Sequence, residues 1–107
     1  MSGNSLPLKQ ILSQIALAMK AGKLVSGEYP VEKALKEMKA YLVVIAEDAS
    51  NNTKKHFSDM CRYRNIPIRF FGSKEEIGRT IGKEYRASIA VTDEGFANSI
   101  LKKVDAQ

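Results

Sequence analysis

The stretch "AYLVVIAED" (residues 40–48) decides the architecture. It is a run of strand formers without alternation of apolar and polar residues. A half-exposed strand alternates with a period of two, so an unbroken run marks a central strand covered on both faces. Such a strand needs helices on either side, and the flanking sequence supplies them. Upstream, Val31, Ala34, Leu35 and Met38 recur at helical spacing as a buried stripe. That helix starts near Gly27, with Ser26 as its cap and Pro30 in the first turn, where N–H groups have no intrahelical partner. Downstream, "SNNT" (50–53) caps a helix to about Tyr63, with Phe57, Met60 and Cys61 on its inner face.

Further out the alternation continues. Leu8, Ile11, Leu12, Ile15, Ala16 and Met19 place a helix over residues 6–19, ended by Gly22. "KLV" (23–25) is a very short strand. "IPIRFF" (66–71) is a third strand, and Pro67 near its start favours an edge or first position. "SKEE" (73–76) is a capping box before a short helix ending at Gly82. "ASIAVT" (87–92) is the last strand, and Thr92 or Asp93 caps a final helix to about Val104. The order α-β-α-β-α-β-α-β-α implies an α/β fold with helices on both faces of one sheet. Residues 1–5 are expected to fray, and nothing marks a second domain within residues 1–107.

A single domain of 107 residues can bury a core without disulfides or metals. One cysteine, Cys61, cannot form an internal disulfide and fits a reducing compartment. The N-terminus lacks the basic-then-apolar order of a signal peptide, and no apolar run approaches the ~20 residues of a membrane span. The expected location is cytoplasmic, with no membrane partner. Net charge is +5, with 17 basic against 12 acidic residues. The excess lies in the second half, and residues 54–86 alone hold nine basic and four acidic residues. This balance favours a polyanionic partner.

Enzymatic chemistry finds little support. The Gly22-Lys23 pair lacks the glycine spacing and the Ser or Thr of a P-loop, and no dinucleotide fingerprint is present. One His and one Cys cannot make a metal cluster. His56 and Cys61 lie about 140° apart around a helix, so they form no dyad. Glu47 and Asp48 follow a buried strand, where α/β proteins place active groups. A phospho-acceptor pocket there would need a further Asp and a Lys after other strands. The simpler reading is that the pair ends the strand and helps start the next helix. No enzyme, cofactor or metal is expected.

Two stretches suit a polyanion. At the start of the second helix, free N–H groups and the positive dipole end attract phosphate, and Gly27 lets a backbone approach. Lys23, Lys33 and Lys36 flank that point. "GKEYRAS" (82–88) puts Lys83 and Arg86 around Tyr85 in the loop before the last strand. A basic loop with one aromatic suits RNA. A solvated turn would explain either stretch alone. Both lie at strand–helix junctions, where they can form one face.

The phrases "AGKLVSG", "KAYLVVIAEDASNNTKK", "IPI", "GSKEEIGRTIGK" and "AVTDEGFA", in this order, resemble the kink-turn RNA-binding ribosomal protein superfamily. That group holds the "seven-Ae" and "thirty-e" ribosomal proteins, and these phrases look most like its bacterial YlxQ-like branch. The likeness runs from about Leu8 to Leu101. It implies a three-layer α/β/α sandwich with a four-stranded mixed sheet. It also implies a non-enzymatic binder of structured or kinked RNA, associated with the ribosome and translation; a monomer is expected. The family's contacts come from the start of the second helix and the loop before the last strand. Carried across, these are Gly27 and Lys33, then Lys83, Glu84, Tyr85 and Arg86; Ser26 and Tyr29, beside Gly27, are expected to join them, with Tyr29 packing on a base or sugar. One departure stands out. Many kink-turn binders carry Asn-Glu two and three residues after the glycine, whereas here those positions hold Tyr29 and Pro30. The family's loop is also commonly apolar, and this one is charged. The alternative is a protein-interaction module of the same fold, associated with translation or transcription machinery and using exposed apolar residues such as Phe71 or Phe96.

Overall fold

The run over residues 40–48 forms a strand, Leu42–Ile45, whose four side chains are all fully buried. The computed structural model describes residues 2–106, with side chains from Pro7 onward. The side chains of residues 1–5, where fraying was expected, lie outside those described. In chain order the elements are α1 (Ser2–Lys20), β1 (Leu24–Ser26), α2 (Glu28–Lys36), β2 (Leu42–Ile45), α3 (Asn51–Arg64), β3 (Ile68–Phe70), α4 (Lys74–Thr80), β4 (Ser88–Val91) and α5 (Glu94–Asp105).

The sheet order is β1-β4-β2-β3. β4 runs antiparallel to both β1 and β2, and β2 runs parallel to β3. The sheet is therefore mixed, with the most apolar strands inside and the three-residue strands β1 and β3 at its edges. Pro67 stands just before edge strand β3, and its carbonyl accepts the Val43 N–H at 3.0 Å. α2 and α3 pack together on one face, while α1 packs against α4 and α5 on the other. This is a three-layer α/β/α sandwich.

Helix ends follow local chemistry. Ser50 Oγ accepts the Thr53 N–H at 3.1 Å, and Ser73 with Glu76 forms a complete capping box. Asp93, rather than Thr92, caps α5 by accepting the Phe96 N–H at 2.9 Å. The C-terminal turn of α1 closes through Gly22 at φ 72°, whereas α2 closes through Met38 at φ 58°. That left-handed turn swings Met38 out to 65% exposure, so it leaves the buried stripe that its spacing implied. Asp48 also departs from expectation. Its carboxylate accepts the Lys74 N–H at 2.9 Å, so it steadies the start of α4 instead of α3.

Strand directions divide the sheet into two ends. The apical end holds the C-termini of β1, β2 and β3, the N-terminus of β4, and the starts of α2, α3 and α4. The basal end holds the opposite strand termini and the last turns of α1, α2 and α3.

Candidate nucleic-acid interface

At the apical end Ser26 still pairs in register with Ile89, and the chain turns only at Gly27, with φ 101°. A side chain rarely adopts that conformation, which explains the glycine. The Gly27 N–H donates to the Ser88 carbonyl at 3.0 Å, so the start of α2 is tied to the start of β4. Gly27 is the N-cap residue and supplies no side-chain cap. Ser26 does not cap α2 either, because it is still held in the β1 ladder. Its Oγ accepts the Arg86 Nε at 3.0 Å. With no cap and no N–H on Pro30, the first turn leaves the Glu28 and Tyr29 N–H groups without an intrahelical acceptor.

The loop before β4 is held down from below. The Lys83 N–H donates to the Gly78 carbonyl at 2.7 Å, and the Arg86 N–H donates to the Lys74 carbonyl at 3.0 Å. Gly78 is buried, and a Cβ there would lie 2.8 Å from the Glu84 carbonyl oxygen and 2.9 Å from the Tyr85 Cα. The loop backbone rests directly on α4. Its side chains Lys83, Glu84 and Tyr85 are left exposed. Arg86 is half-buried, bracing the loop against Ser26 and the Tyr85 carbonyl.

Along α2, Tyr29, Lys33 and Lys36 recur four and three residues apart, which sets them on one outward stripe. Tyr29 is 72% exposed. Lys33 Nζ lies 3.8 Å from Glu37, a loose exposed pair that a phosphate can displace at little cost. The structure thus brings together Ser26, Gly27, Tyr29 and the loop over residues 83–86, and Lys33 and Lys36 extend this face along α2 to its last turn, toward the basal end. Lys23 does not join them. It precedes β1 at the basal end, where its carbonyl accepts the Thr92 N–H at 2.9 Å. The length of β1 separates it from Gly27 by more than ~10 Å.

One contact beside this face was missed in the sequence. Glu32 on α2 meets His56 Nε2 on α3 at 2.5 Å, and the His56 ring stands edge-on to Phe57. Glu28, Asn52 and Thr53 surround the same small hollow. The spacing of Glu28 and Glu32 puts them on one side of α2, but only the packing of α2 on α3 supplies the partner.

Other candidates lose their footing. Cys61 is fully buried, and burial pushes its thiol up to about 11, so it is no nucleophile. Among the described residues no group of three or more His, Cys, Asp and Glu could hold a metal, and no helix is long and apolar enough to cross a membrane. Phe71 is buried and Phe96 is half-buried against the core, so neither supplies the exposed apolar surface expected of an interaction module.

With this geometry in place, comparison with known proteins is informative. The family described as "Ribosomal protein L7Ae/L30e/S12e/Gadd45 family" matches residues 9–101. The "RNA-binding protein YlxQ" of Bacillus subtilis is 45% identical over 91 residues, covering 85% of this chain and 91% of that protein. A solved Bacillus halodurans protein of unknown function superposes with a TM-score of 0.86 at 37% identity, over 89% of this chain and 96% of its own. A Giardia lamblia 15.5kD RNA binding protein superposes with a TM-score of 0.76 at 25% identity, over 95% and 88% of the two chains.

Proposed function

The chain belongs to the L7Ae/L30e/S12e/Gadd45 ribosomal protein family, and from that premise we propose that it is a non-enzymatic RNA-binding protein that grips a structured, kinked RNA at its apical end. One observation carries the reading. The Arg86–Ser26 hydrogen bond at 3.0 Å joins the loop before β4 to the start of α2, across 60 residues of sequence. Two stretches that suit phosphate separately are thereby fixed as one surface. Relatives of similar sequence and fold are named as RNA-binding proteins.

Division of labour follows from chemistry. Lys33, Lys36 and Lys83 take phosphates as mobile point charges. The Glu28 and Tyr29 N–H groups add donors at the positive end of α2. Arg86 is already committed to Ser26, so it sets the loop's position and lends its field. Tyr29 and Tyr85 offer ring faces to bases or sugars. Tyr29 and Pro30 cannot supply the paired amide and carboxylate contacts of an Asn-Glu reader. Selection of a bent RNA therefore falls to the shape of the surface.

The test is a titration of nucleic-acid-free protein with a labelled kink-turn RNA and with a straight duplex of equal length, each at two salt concentrations. The proposal expects the bent RNA to bind at least ~10-fold tighter, with affinity falling steeply as salt rises. Equal affinity for the two RNAs would overturn kinked-RNA recognition.

A further inference from the structure

The RNA contacts that the resemblance implies lie at the apical end, yet a second group of cations gathers at the other end of the sheet. At the basal edge the strand termini form a row. Thr92 N–H donates to Lys23 carbonyl at 2.9 Å, Tyr41 N–H to Val91 carbonyl at 2.8 Å, and Val43 N–H to Pro67 carbonyl at 3.0 Å. With neighbouring strands ~4.8 Å apart, Lys23 and Tyr41 stand about 10 Å from each other. The last turn of α1 adds Lys20 beside Lys23, and the tail of α2 adds Lys39 beside Tyr41. The last turn of α3 brings Arg62 and Tyr63 to the start of β3. The opposing acids are mostly engaged. Glu37 lies 3.2 Å from Lys39, Asp59 lies 3.6 Å from Arg62, and Asp93 is occupied capping α5, while Glu94 stands exposed in the first turn of that helix. Among the described residues Lys20 and Lys23 form no ion pair. The apical end, by contrast, mixes its cations with Glu28, Glu47, Asp48, Glu75 and Glu84.

Cations in a last helical turn offset the helix dipole, and that role covers Lys20 and Arg62. It leaves Lys23 unexplained, because Lys23 lies beyond the helix. It also leaves the tyrosines unexplained. Tyr63 is 84% exposed and Tyr41 is 45% exposed. The neighbouring Arg64 guanidinium sits 5.3 Å from the Tyr63 ring centroid, which makes a flat cationic and aromatic platform. Cations interleaved with open ring faces match a nucleic-acid backbone better than an acidic protein surface, which offers charge without bases or sugars to stack.

We propose that the basal end is a second RNA-binding face, which takes the phosphate backbone of a separate segment, so that one molecule joins two stretches of RNA. This goes beyond the apical reading and stands on different residues.

The experiment uses the full chain and two probes, a kink-turn RNA and a short plain RNA duplex. The basal variant is Lys20→Gln/Lys23→Gln/Arg62→Gln, which removes the charges and keeps polar, helix-compatible side chains. A second basal variant, Tyr63→Ala, removes a ring that packs against no core. The comparison variant is Lys102→Gln/Lys103→Gln in the last turn of α5, outside both faces. Thermal melts establish that each is folded. The expected result is a loss of duplex affinity of 10-fold or more in the triple basal variant. Its dependence of log affinity on log salt should flatten by ~2–3, near 0.7–0.9 per cation removed. Tyr63→Ala should weaken the duplex several-fold, and the comparison variant should leave duplex affinity within about twofold of wild type. The proposal is overturned if the folded triple variant holds the duplex as wild type does, or if wild type shows no duplex binding at low salt. It is also overturned if the basal residues instead govern binding of polyglutamate, which would assign the face to an acidic protein. Kink-turn affinity, measured on the same samples, reports the apical proposal separately.

Discussion

Met38 holds a left-handed backbone, φ 58°, that costs a residue with a Cβ about 1 kcal/mol, and its exposed side chain recovers little. Met38→Gly is expected to raise stability by ~0.5–1 kcal/mol, measured by urea denaturation; an unchanged midpoint would mean that the extra freedom of glycine in the unfolded chain cancels the relief. Lys33 makes the opposite case. Its one partner is the loose Glu37 pair, so Lys33→Ala should leave the melting temperature alone. RNA affinity should fall and the salt slope should drop by ~1. Wild-type affinity in that variant would remove Lys33 from the site. Cys61 gives a pH signature. The folded chain keeps its thiol proton to about 11, while the ordinary value is 9.0. Its contribution is therefore complete below pH 9 and is lost as pH rises toward 11, at up to ~1.4 kcal/mol per pH unit. The stability gap between wild type and Cys61→Ala should shrink between pH 8 and pH 10.5, and a constant gap would mean that the thiol ionises without cost.

Among elements, α4 does more for the interface than its seven residues suggest. Gly78 lets the loop backbone lie flush on it, and the Lys74 and Gly78 carbonyls pin that loop. Alanine is the better helix former, so Gly78→Ala would stabilise an isolated helix. Here the added methyl would strike loop backbone, and backbone cannot yield as a flexible side chain does. The expected outcome is a loss of ~1–3 kcal/mol in stability together with weaker kink-turn binding. Intact affinity in a destabilised variant would separate the loop's position from recognition. The capping box of α4 and the breaks at Gly22 and Gly82 were legible because they are local. The role of Gly78 was not, because a buried mid-helix glycine reads only as a weak spot until its neighbour is known. Ser26 misled for a related reason. Its residue type suits a cap, but the pairing of β1 with β4 had already claimed its position.

Across the whole molecule, legibility followed the reach of each interaction. The uniform burial of β2 and the alternation of strands and helices specified the layers, since both depend on near neighbours in sequence. Strand order, the Glu32–His56 contact and the Asp48–Lys74 bond depend on distant ones. The same distinction explains Lys23, which adjoins the candidate site in sequence and lies at the opposite end in space. β2 is flanked by β4 and β3 and covered on both faces, so its amides should exchange only through global opening. Native-state hydrogen exchange should give Val43 and Val44 the full unfolding free energy, with the edge strand β1 well below it. Equal protection in both strands would mean that the sheet opens as one unit.

The hydrogen bond between Ser26 and Arg86 also has a consequence in time. Its partners are 60 residues apart, and β4 must slot between β1 and β2 before they can meet. During synthesis the start of α2 emerges well before β4, so the apical face stays incomplete until β4 has left the ribosome. On the proposed function, RNA recognition is therefore available only to a chain in which β4 has joined the sheet.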